Sequence, residues 1–600
     1  MVEDEASGPS AERVDGSGQE WGSDFVADLL AAYGFDYVPF NPGASFRGIE
    51  ESLVNYAEDG PEVVLTPNEG LTVSIAHGYA KATNEPSVCI LHDIVGTLNG
   101  AMGIYNAYVD RVPMLILAGN GPVRKSKRRP WIDWIHTATD QGSLVREYTK
   151  WDDQPAHVDG VADSIVRGYN IAGTVPHGPV YVTLDHDVQE NRLEEPMALP
   201  DFERVGPPSS VAPDPAAVET AASLLVDAEF PVFVVSRVGR APETVDALVE
   251  LAELLGAAVV ETRKRDRYNF PTTHPLNLSG ADVYDRADVL VTLDVDSVEQ
   301  FLVEADQATH ERRPALPEEP TLIDVGPGDL GASSLTGDYC ALHGADLSIL
   351  ADTALAVPAL REAVTDAVAG DDGFAARAAR RTEEIERIHR DLRAEWRAEV
   401  EAAWDETPIS LPRLAAEIWE VLRDEQWVLV NGTLRKWTHR LWEIDEYDRY
   451  VGGYSGGGGV GYGVGGAIGG ALAYADTDRI PINLQSDGDL ISNLGGLWTQ
   501  AHSEIPMLTV VHNNRALYNS TNHRMKLAAY RGREASYERS LIGTGLTDPV
   551  PDYASAAESV GVNGYGPIER PDDLRPALED ALADVKAGEP ALVDVVSQPR

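Results

Sequence analysis

The chain has little cysteine, little lysine and no long apolar run. Cys89 and Cys340 are the only thiols in 600 residues. So few exclude a disulfide framework and a cysteine-based zinc site. Lysine and arginine together number 48, of which eight are lysine, against 97 acidic residues, for a formal net charge of −49. A surface this short of positive charge excludes nonspecific nucleic-acid binding, which needs a basic face. The acidic residues are scattered along the chain, the pattern of a surface adapted to high salt, where dense charge is screened. No unbroken apolar run approaches ~18 residues, so no membrane span is expected. Residues 1–20 are acidic and polar, which reads as a disordered tail and not as a secretory signal. A cytoplasmic protein is expected.

Six hundred residues exceed one ordinary core. Short apolar runs alternate with helical patterns, so the expected class is α/β with parallel sheets. Residues 21–195 form a first α/β region. Six prolines mark a linker over 196–215. A second α/β region, 216–365, has apolar runs at Pro231–Val235, Ala258–Glu261, Val289–Leu293 and Thr321–Val325. No G-x-G-x-x-G follows a strand there, so nicotinamide binding is unsupported. Residues 366–405 hold a charged helix (Ala375–Trp404) stabilised by pairs three and four apart. The last region is 406–600.

In that last region the run Ile480–Leu484 stops at Ser486-Asp487-Gly488-Asp489. A helix-length segment, Ile491–Ser503, leads to a second run, Met507–Val511, which stops at His512-Asn513-Asn514. This is a β–α–β pattern. If the strands are parallel neighbours, its crossover is right-handed, and both polar clusters lie at strand carboxyl ends, where open α/β sheets bind ligands. A carboxylate, a side-chain amide and backbone carbonyls make an all-oxygen site, suited to Mg2+ with a phosphate-bearing ligand. Val428–Val430 likewise ends at Asn431-Gly432-Thr433. Between them lies the glycine-rich run from Ser455 to Gly469, where glycine permits close approach of backbone to a ligand.

Asp-Gly, 24 residues, then Asn-Asn resembles the signature of thiamin-diphosphate-dependent enzymes acting on 2-oxo acids, with Ser486 where a glycine is usual. The resemblance spans residues 20 to 600. It implies three doubly wound α/β domains: pyrimidine-binding, central Rossmann-like and diphosphate-binding. It implies metal ligation by the side chains of Asp487 and Asn514 and the carbonyl of Ala516. It also implies cofactor contacts from Asn431, Gly432, Thr433, Gly459, Val460, Gly488, Asp489 and Tyr518. Val460 takes the place of a larger residue that holds the cofactor bent. Tyr518 opens a segment, to Tyr537, read as mobile over the substrate.

In the first region, strands end at Asn41-Pro42-Gly43, at Thr66-Pro67-Asn68-Glu69-Gly70, at His92-Asp93 and at Ala118-Gly119-Asn120. Glu69 precedes a helix over Leu71–Ala82 whose end, His77-Gly78-Tyr79-Ala80-Lys81-Ala82, resembles the family segment after its catalytic glutamate. By that resemblance Glu69 bonds the cofactor's pyrimidine. A carboxyl group in an apolar pocket can keep a proton near neutrality, which favours the imino form that removes the thiazolium proton. His92 stands where benzoylformate and pyruvate decarboxylases have a histidine. A structural histidine and a proton relay both fit it. Ala44 replaces the serine that benzoylformate decarboxylases carry after Asn-Pro-Gly, with Ser45 next to it. Gln141 aligns with an acetolactate-synthase glutamine, and reads either as an active-site contact or as a solvent-facing residue. The basic cluster Arg124–Arg129 reads as a salt-bridged loop or subunit contact, with anionic-substrate capture as the alternative.

The expected activity is cleavage of a 2-oxo acid with loss of CO2. Acetolactate-synthase-like carboligation comes first. Benzoylformate- or pyruvate-type decarboxylation and a flavin-linked oxidase are the alternatives. The implied cofactors are thiamin diphosphate and Mg2+, and nothing in the sequence requires FAD. The implied assembly is a homodimer or homotetramer in which Glu69 of one subunit meets the diphosphate site of another.

Overall fold

In the computed structural model, residues 18–262, 267–306, 308–328, 343–453 and 456–599 are described. Residues 1–17 of the expected 1–20 tail, Cys340 and Ser455 fall outside them; in the rest of that stretch Gln19 is buried and donates to Asp28 at 2.6 Å, so the ordered domain starts before residue 21. Three parallel sheets organise the chain, as the alternation of apolar runs with helices requires.

The first sheet runs Glu62–Leu65, Tyr37–Phe40, Ser87–Leu91, Met114–Asn120, Pro179–Asp185, Trp151–Asp153 in spatial order. Every pairing in it is parallel. Ser87–Leu91 and Met114–Asn120 are buried at every residue, as expected of strands covered on both faces. Sheet order reverses chain direction between Tyr37–Phe40 and Ser87–Leu91, so Asn41 and His92 emerge at the switch point where such sheets bind ligands.

The middle sheet runs Leu347–Leu350, Thr321–Gly326, Val289–Leu293, Pro231–Val235, Ala258–Glu261. The third runs Trp427–Asn431, Ile480–Ser486, Leu508–Asn513, Ala591–Val596, Asn563–Ile568. Ile480–Ser486 and Leu508–Asn513 are parallel neighbours in register from Ile482 opposite Leu508 to Ser486 opposite His512. The 31-residue helix Asp372–Ala402 precedes the third region.

The first and third regions meet through two helices, Glu69–Thr83 and Tyr462–Leu472, which approach at glycine. A Cβ on Gly78 would lie 2.0 Å from the Gly466 carbonyl oxygen, and one on Gly469 1.9 Å from that of Ile75. Asn68 donates to Asn493 Oδ1 at 3.1 Å, and Thr499 Oγ1 to the Leu65 carbonyl at 3.1 Å, across the same junction.

Three segments differ from the sequence reading. The proline-rich 196–215 stretch contains a helical turn, Phe202–Val205, and Phe202 is buried in the first core, so part of it packs as domain. Ile94–Asp110 is a helix, where the sequence marked only the residues after His92. Tyr518–Tyr530 is also a helix, inside the segment read as mobile. Among the described residues no helix is long and apolar enough to cross a membrane.

Candidate functional site

At the carboxyl edge of the third sheet, Asp487 follows Ser486 and is almost fully buried. Its Oδ1 accepts from the Gly488 amide at 2.8 Å, and its Oδ2 from the Ala516 amide at 3.2 Å. Asn514 Oδ1 accepts from that same Ala516 amide at 3.1 Å. Two side-chain oxygens thus converge on one N–H. Burial pushes the Asp487 carboxyl up to about 6. Asn513 turns the other way, donating to Asp594 at 3.0 Å and leaving the edge to Asn514.

Beside them, Asn431 donates to Asn483 at 2.8 Å, while its own Oδ1 is buried without a partner. Gly432 has φ +79, and a Cβ there would lie 2.0 Å from the Leu484 carbonyl oxygen, so only glycine fits. Thr433 Oγ1 accepts from the Lys436 amide at 3.2 Å. Both ring nitrogens of His512 are buried without partners, and burial holds that ring neutral, at about 4.

Asp489, expected among the cofactor contacts, bonds the glycine-rich turn. Its carboxylate accepts from the amides of Gly461 and Gly463 and from Gln485 Nε2, the last two at 2.7 and 2.8 Å. It caps the start of the Tyr462–Leu472 helix, whose N–H groups lack intrahelical partners. Gly459 and Val460 lie on the turn just before. Val460 is 62 % exposed, and Gly459 lies against Met102.

In the first region Asn68 caps the Glu69–Thr83 helix, its Oδ1 accepting from the Leu71 amide at 3.0 Å. Glu69, the first helical residue, is buried. Its surroundings are more polar than the sequence suggested. Asn41 donates to Oε1 at 3.1 Å and Asn99 to Oε2 at 2.7 Å. Asn41 leaves the neighbouring strand, and Asn99 projects from Ile94–Asp110. His92 adjoins this group, since a Cβ on Gly96 would lie 2.7 Å from His92 Cβ and 3.0 Å from Glu69 Oε1.

His92 Nδ1 lies 2.8 Å from Asp93 Oδ1, and His136 Nδ1 lies 3.3 Å from Asp93 Oδ2. Asn41, Asn99, Asp93 and His136 went unrecognised as site residues in the sequence. The strand-end position of Asn41 and Asp93 was available as a signal. Nothing local marked His136, which a loop brings in.

Gln141 is wholly buried and does not face solvent. Its amide nitrogen donates to the Gly119 carbonyl at 2.9 Å, to Tyr181 Oη at 2.8 Å and to Thr97 Oγ1 at 3.4 Å, bracing the first sheet from within, while its Oε1 is buried without a partner. Tyr518 starts its helix beside Ala516, with its ring 6.4 Å from that of Tyr537. In the basic cluster, Arg129 pairs with Asp133 at 2.8 Å and Arg124 with Asp187, as a salt-bridged loop does.

Residues 20–144 match the family model of the N-terminal thiamine-pyrophosphate-binding domain of thiamine pyrophosphate enzymes, and residues 431–595 match that of the C-terminal one. The chain belongs to the thiamine pyrophosphate enzymes. It is 24 % identical over 598 residues to a probable acetolactate synthase large subunit of Methanocaldococcus jannaschii, covering 96 % of this chain and 92 % of that protein. It is 25 % identical over 250 residues to a benzoylformate decarboxylase of Pseudomonas aeruginosa, covering 41 % of this chain and 45 % of the other. The fold is shared with a 4-hydroxybenzoylformate decarboxylase of Rhodococcus jostii, at TM-score 0.72 and 21 % identity over 96 % of this chain and 99 % of the other.

For a thiamin-diphosphate enzyme the edge at Asp487 fits the cofactor. Unpartnered buried polar atoms, a glycine with no room for a side chain and converging hard oxygens are what a diphosphate and a divalent cation use.

Proposed function

We propose that this enzyme binds thiamin diphosphate with Mg2+ and removes CO2 from a 2-oxo acid. Support comes from the pairing of a buried glutamate flanked by two amides, Glu69 with Asn41 and Asn99, with the Asp487–Asn514 oxygen pair. When bound, the cofactor would supply a nucleophilic carbon and an electron sink for the loss of CO2. The side chains of Asp487 and Asn514 and the Ala516 carbonyl hold the cation. Gly432, Thr433 and Gly488 line the diphosphate, and exposed Val460 supports the rings. Glu69 shares a proton with the pyrimidine, and its two amide partners fix the plane of its carboxylate.

Two fates follow loss of CO2. His92, held by Asp93 beside Glu69, favours protonation and release of an aldehyde, and this reading leads. Carboligation to a second carbonyl is the other, favoured by likeness to acetolactate synthases along nearly the whole chain. Flavin-linked oxidation has less support. At the switch point of the middle sheet Arg237 is paired with Asp296 at 2.8 Å and Arg111 with Asp294 at 2.7 Å, so charges there are already matched.

A site shared between two copies of the chain accounts for one surface. Val95, Leu98 and Met102 stand exposed along Ile94–Asp110, the helix that also carries Asn99 to Glu69.

The test is a panel of 2-oxo acids with thiamin diphosphate and Mg2+ at high salt, with products identified. Aldehyde and CO2 in equal amounts support the first fate, and a joined product the second. A panel without CO2 release contradicts both.

A further inference from the structure

The sequence marked His92 alone. The structure surrounds it with two further groups that no comparison assigns. Asp93 is wholly buried, and its two carboxylate oxygens each face an imidazole: Oδ1 is hydrogen-bonded to His92 Nδ1 at 2.8 Å, and Oδ2 lies at an ion-pair distance of 3.3 Å from His136 Nδ1, without hydrogen-bond geometry. The rings stand edge to face, with centroids 4.9 Å apart. Ser45 Oγ accepts the Asp93 amide at 2.9 Å and lies 3.3 Å from the same His92 Nδ1.

His136 is carried by a loop fixed on both sides. Before it, the Asp133 carboxylate takes the Arg129 amide at 2.5 Å and the Arg129 guanidinium at 2.8 Å. After it, Asn120 and Ala138 exchange two hydrogen bonds, both of 3.0 Å. Thr137 packs directly on Gly121, where a Cβ would lie 1.9 Å from Thr137 Oγ1. The loop exposes Trp131 and Trp134, yet turns His136 inward to the carboxylate.

A buried carboxylate 2.8 Å from an imidazole nitrogen places a proton on that nitrogen and fixes the ring. Facing Asp93 on both oxygens has a further effect. A carboxylate held at one oxygen rotates, and one held at both does not. We propose that Asp93 and His136 are positioning residues for His92: His136 pins the second oxygen of Asp93, Asp93 keeps the proton of His92 on Nδ1, and Nε2 is thereby the atom presented to the substrate. The inference rests on the aldehyde-forming reading above. In the step it serves, the protonated His92 gives its Nε2 proton to the carbon from which CO2 has left. The electron pair on that carbon forms the new C–H bond. His92 is left neutral, still donating Nδ1–H to Asp93, and regains a proton from water at its exposed edge.

One ligand atom from each of His92, Asp93 and His136 lies within 4.8 Å of the other two, close enough for a transition-metal ion. The two arrangements differ in where the protons are, because a metal displaces the Nδ1 protons and the positioning role requires them.

The experiment uses the full chain with thiamin diphosphate and Mg2+, as native protein and as Asp93→Asn, His136→Leu and His136→Gln. Glutamine at 136 offers Asp93 an N–H and leucine does not. Aldehyde formed per CO2 released is expected to fall ~10–100-fold in Asp93→Asn and His136→Leu, with CO2 release in the first turnover retained, and to return within about threefold of native in His136→Gln. A merely structural role lowers CO2 and aldehyde together. Nitrogen NMR of histidine-labelled protein without substrate is expected to show Nδ1–H on His92 in the native chain, and loss of that preference in Asp93→Asn. The inference is overturned if His136→Leu keeps the native aldehyde-to-CO2 ratio, if His92 carries its proton on Nε2, or if purified protein holds one transition-metal ion per chain that His136→Gln removes. If native protein releases no CO2 from any 2-oxo acid, the activity reading fails, and the proton position on His92 decides the positioning role by itself.

Discussion

Asp487 and Asn514 direct side-chain oxygens at a single donor, the amide of Ala516, at 3.2 and 3.1 Å. They leave adjacent parallel strands of the third sheet, so the sheet register itself sets their convergence. A cation at this point would meet two hard oxygens already brought together, at little ordering cost.

Removing Mg2+ should therefore remove cofactor affinity. Thermal stabilisation of the chain by thiamin diphosphate is expected with Mg2+ present and absent after chelation. Asp487→Ala should weaken cofactor binding at least tenfold by calorimetry. Stabilisation of Asp487→Ala equal to native would place the metal elsewhere.

The contact between helices Glu69–Thr83 and Tyr462–Leu472 should tolerate no added methyl. Gly78→Ala sets a Cβ 2.0 Å from the Gly466 carbonyl oxygen, in rigid helix backbone. We expect a loss of about 1–3 kcal/mol in denaturant unfolding. Ala in the same helix at an exposed position should cost far less.

These elements show what the sequence reveals and what it hides. Strand ends were legible because apolar runs break abruptly at polar residues, which placed Glu69, His92, Asp487 and Asn514 at sheet edges. The helix Ile94–Asp110 was not, because it carries Gly96, Gly100 and Gly103, poor helix formers. Packing imposes all three: a Cβ on Gly96 would lie 2.7 Å from His92 Cβ, one on Gly103 2.8 Å from Val73 Cβ, and one on Gly100 3.1 Å from Val73 Cγ2. Asn99, which reaches Glu69, went unnoticed with that helix. Gln141 and Asp489 have the right residue types near the right motifs, and only the fold reveals the scaffold bonds that they make. His136 depends on a loop closing over distance, which no local pattern encodes.

Acid should weaken the first region through Glu190. It bonds Arg47 at 2.7 Å and His186 at 2.8 Å. Burial alone would raise its carboxyl, but the bonds to His186 and Arg47 outweigh this and hold it at about 2, below its ordinary 4.5. A depressed carboxyl stabilises the fold above the unfolded value, and that contribution is lost as pH falls through the folded one. The melting-temperature difference between native and Glu190→Gln should be constant from pH 7 to 5 and shrink as pH falls from 4.5 toward 2. A difference unchanged across that range would contradict the assignment.

If the site is shared between two copies, two inactive variants should complement each other. Glu69→Gln and Asp487→Ala, each inactive alone, should regain up to about a quarter of native activity after subunit exchange, since half the dimers are mixed and each has one intact site of two. No recovery from a mixture shown to exchange would place both residues in one subunit's site.

The most direct measurement is turnover of Glu69→Gln beside its binding of thiamin diphosphate. Glutamine keeps the shape, and its one oxygen can accept from Asn41 or Asn99, but it cannot share a carboxyl proton with the cofactor. The account predicts CO2 release from the best 2-oxo acid reduced at least ~100-fold, with cofactor affinity within a few-fold of native. Full activity in Glu69→Gln would contradict it.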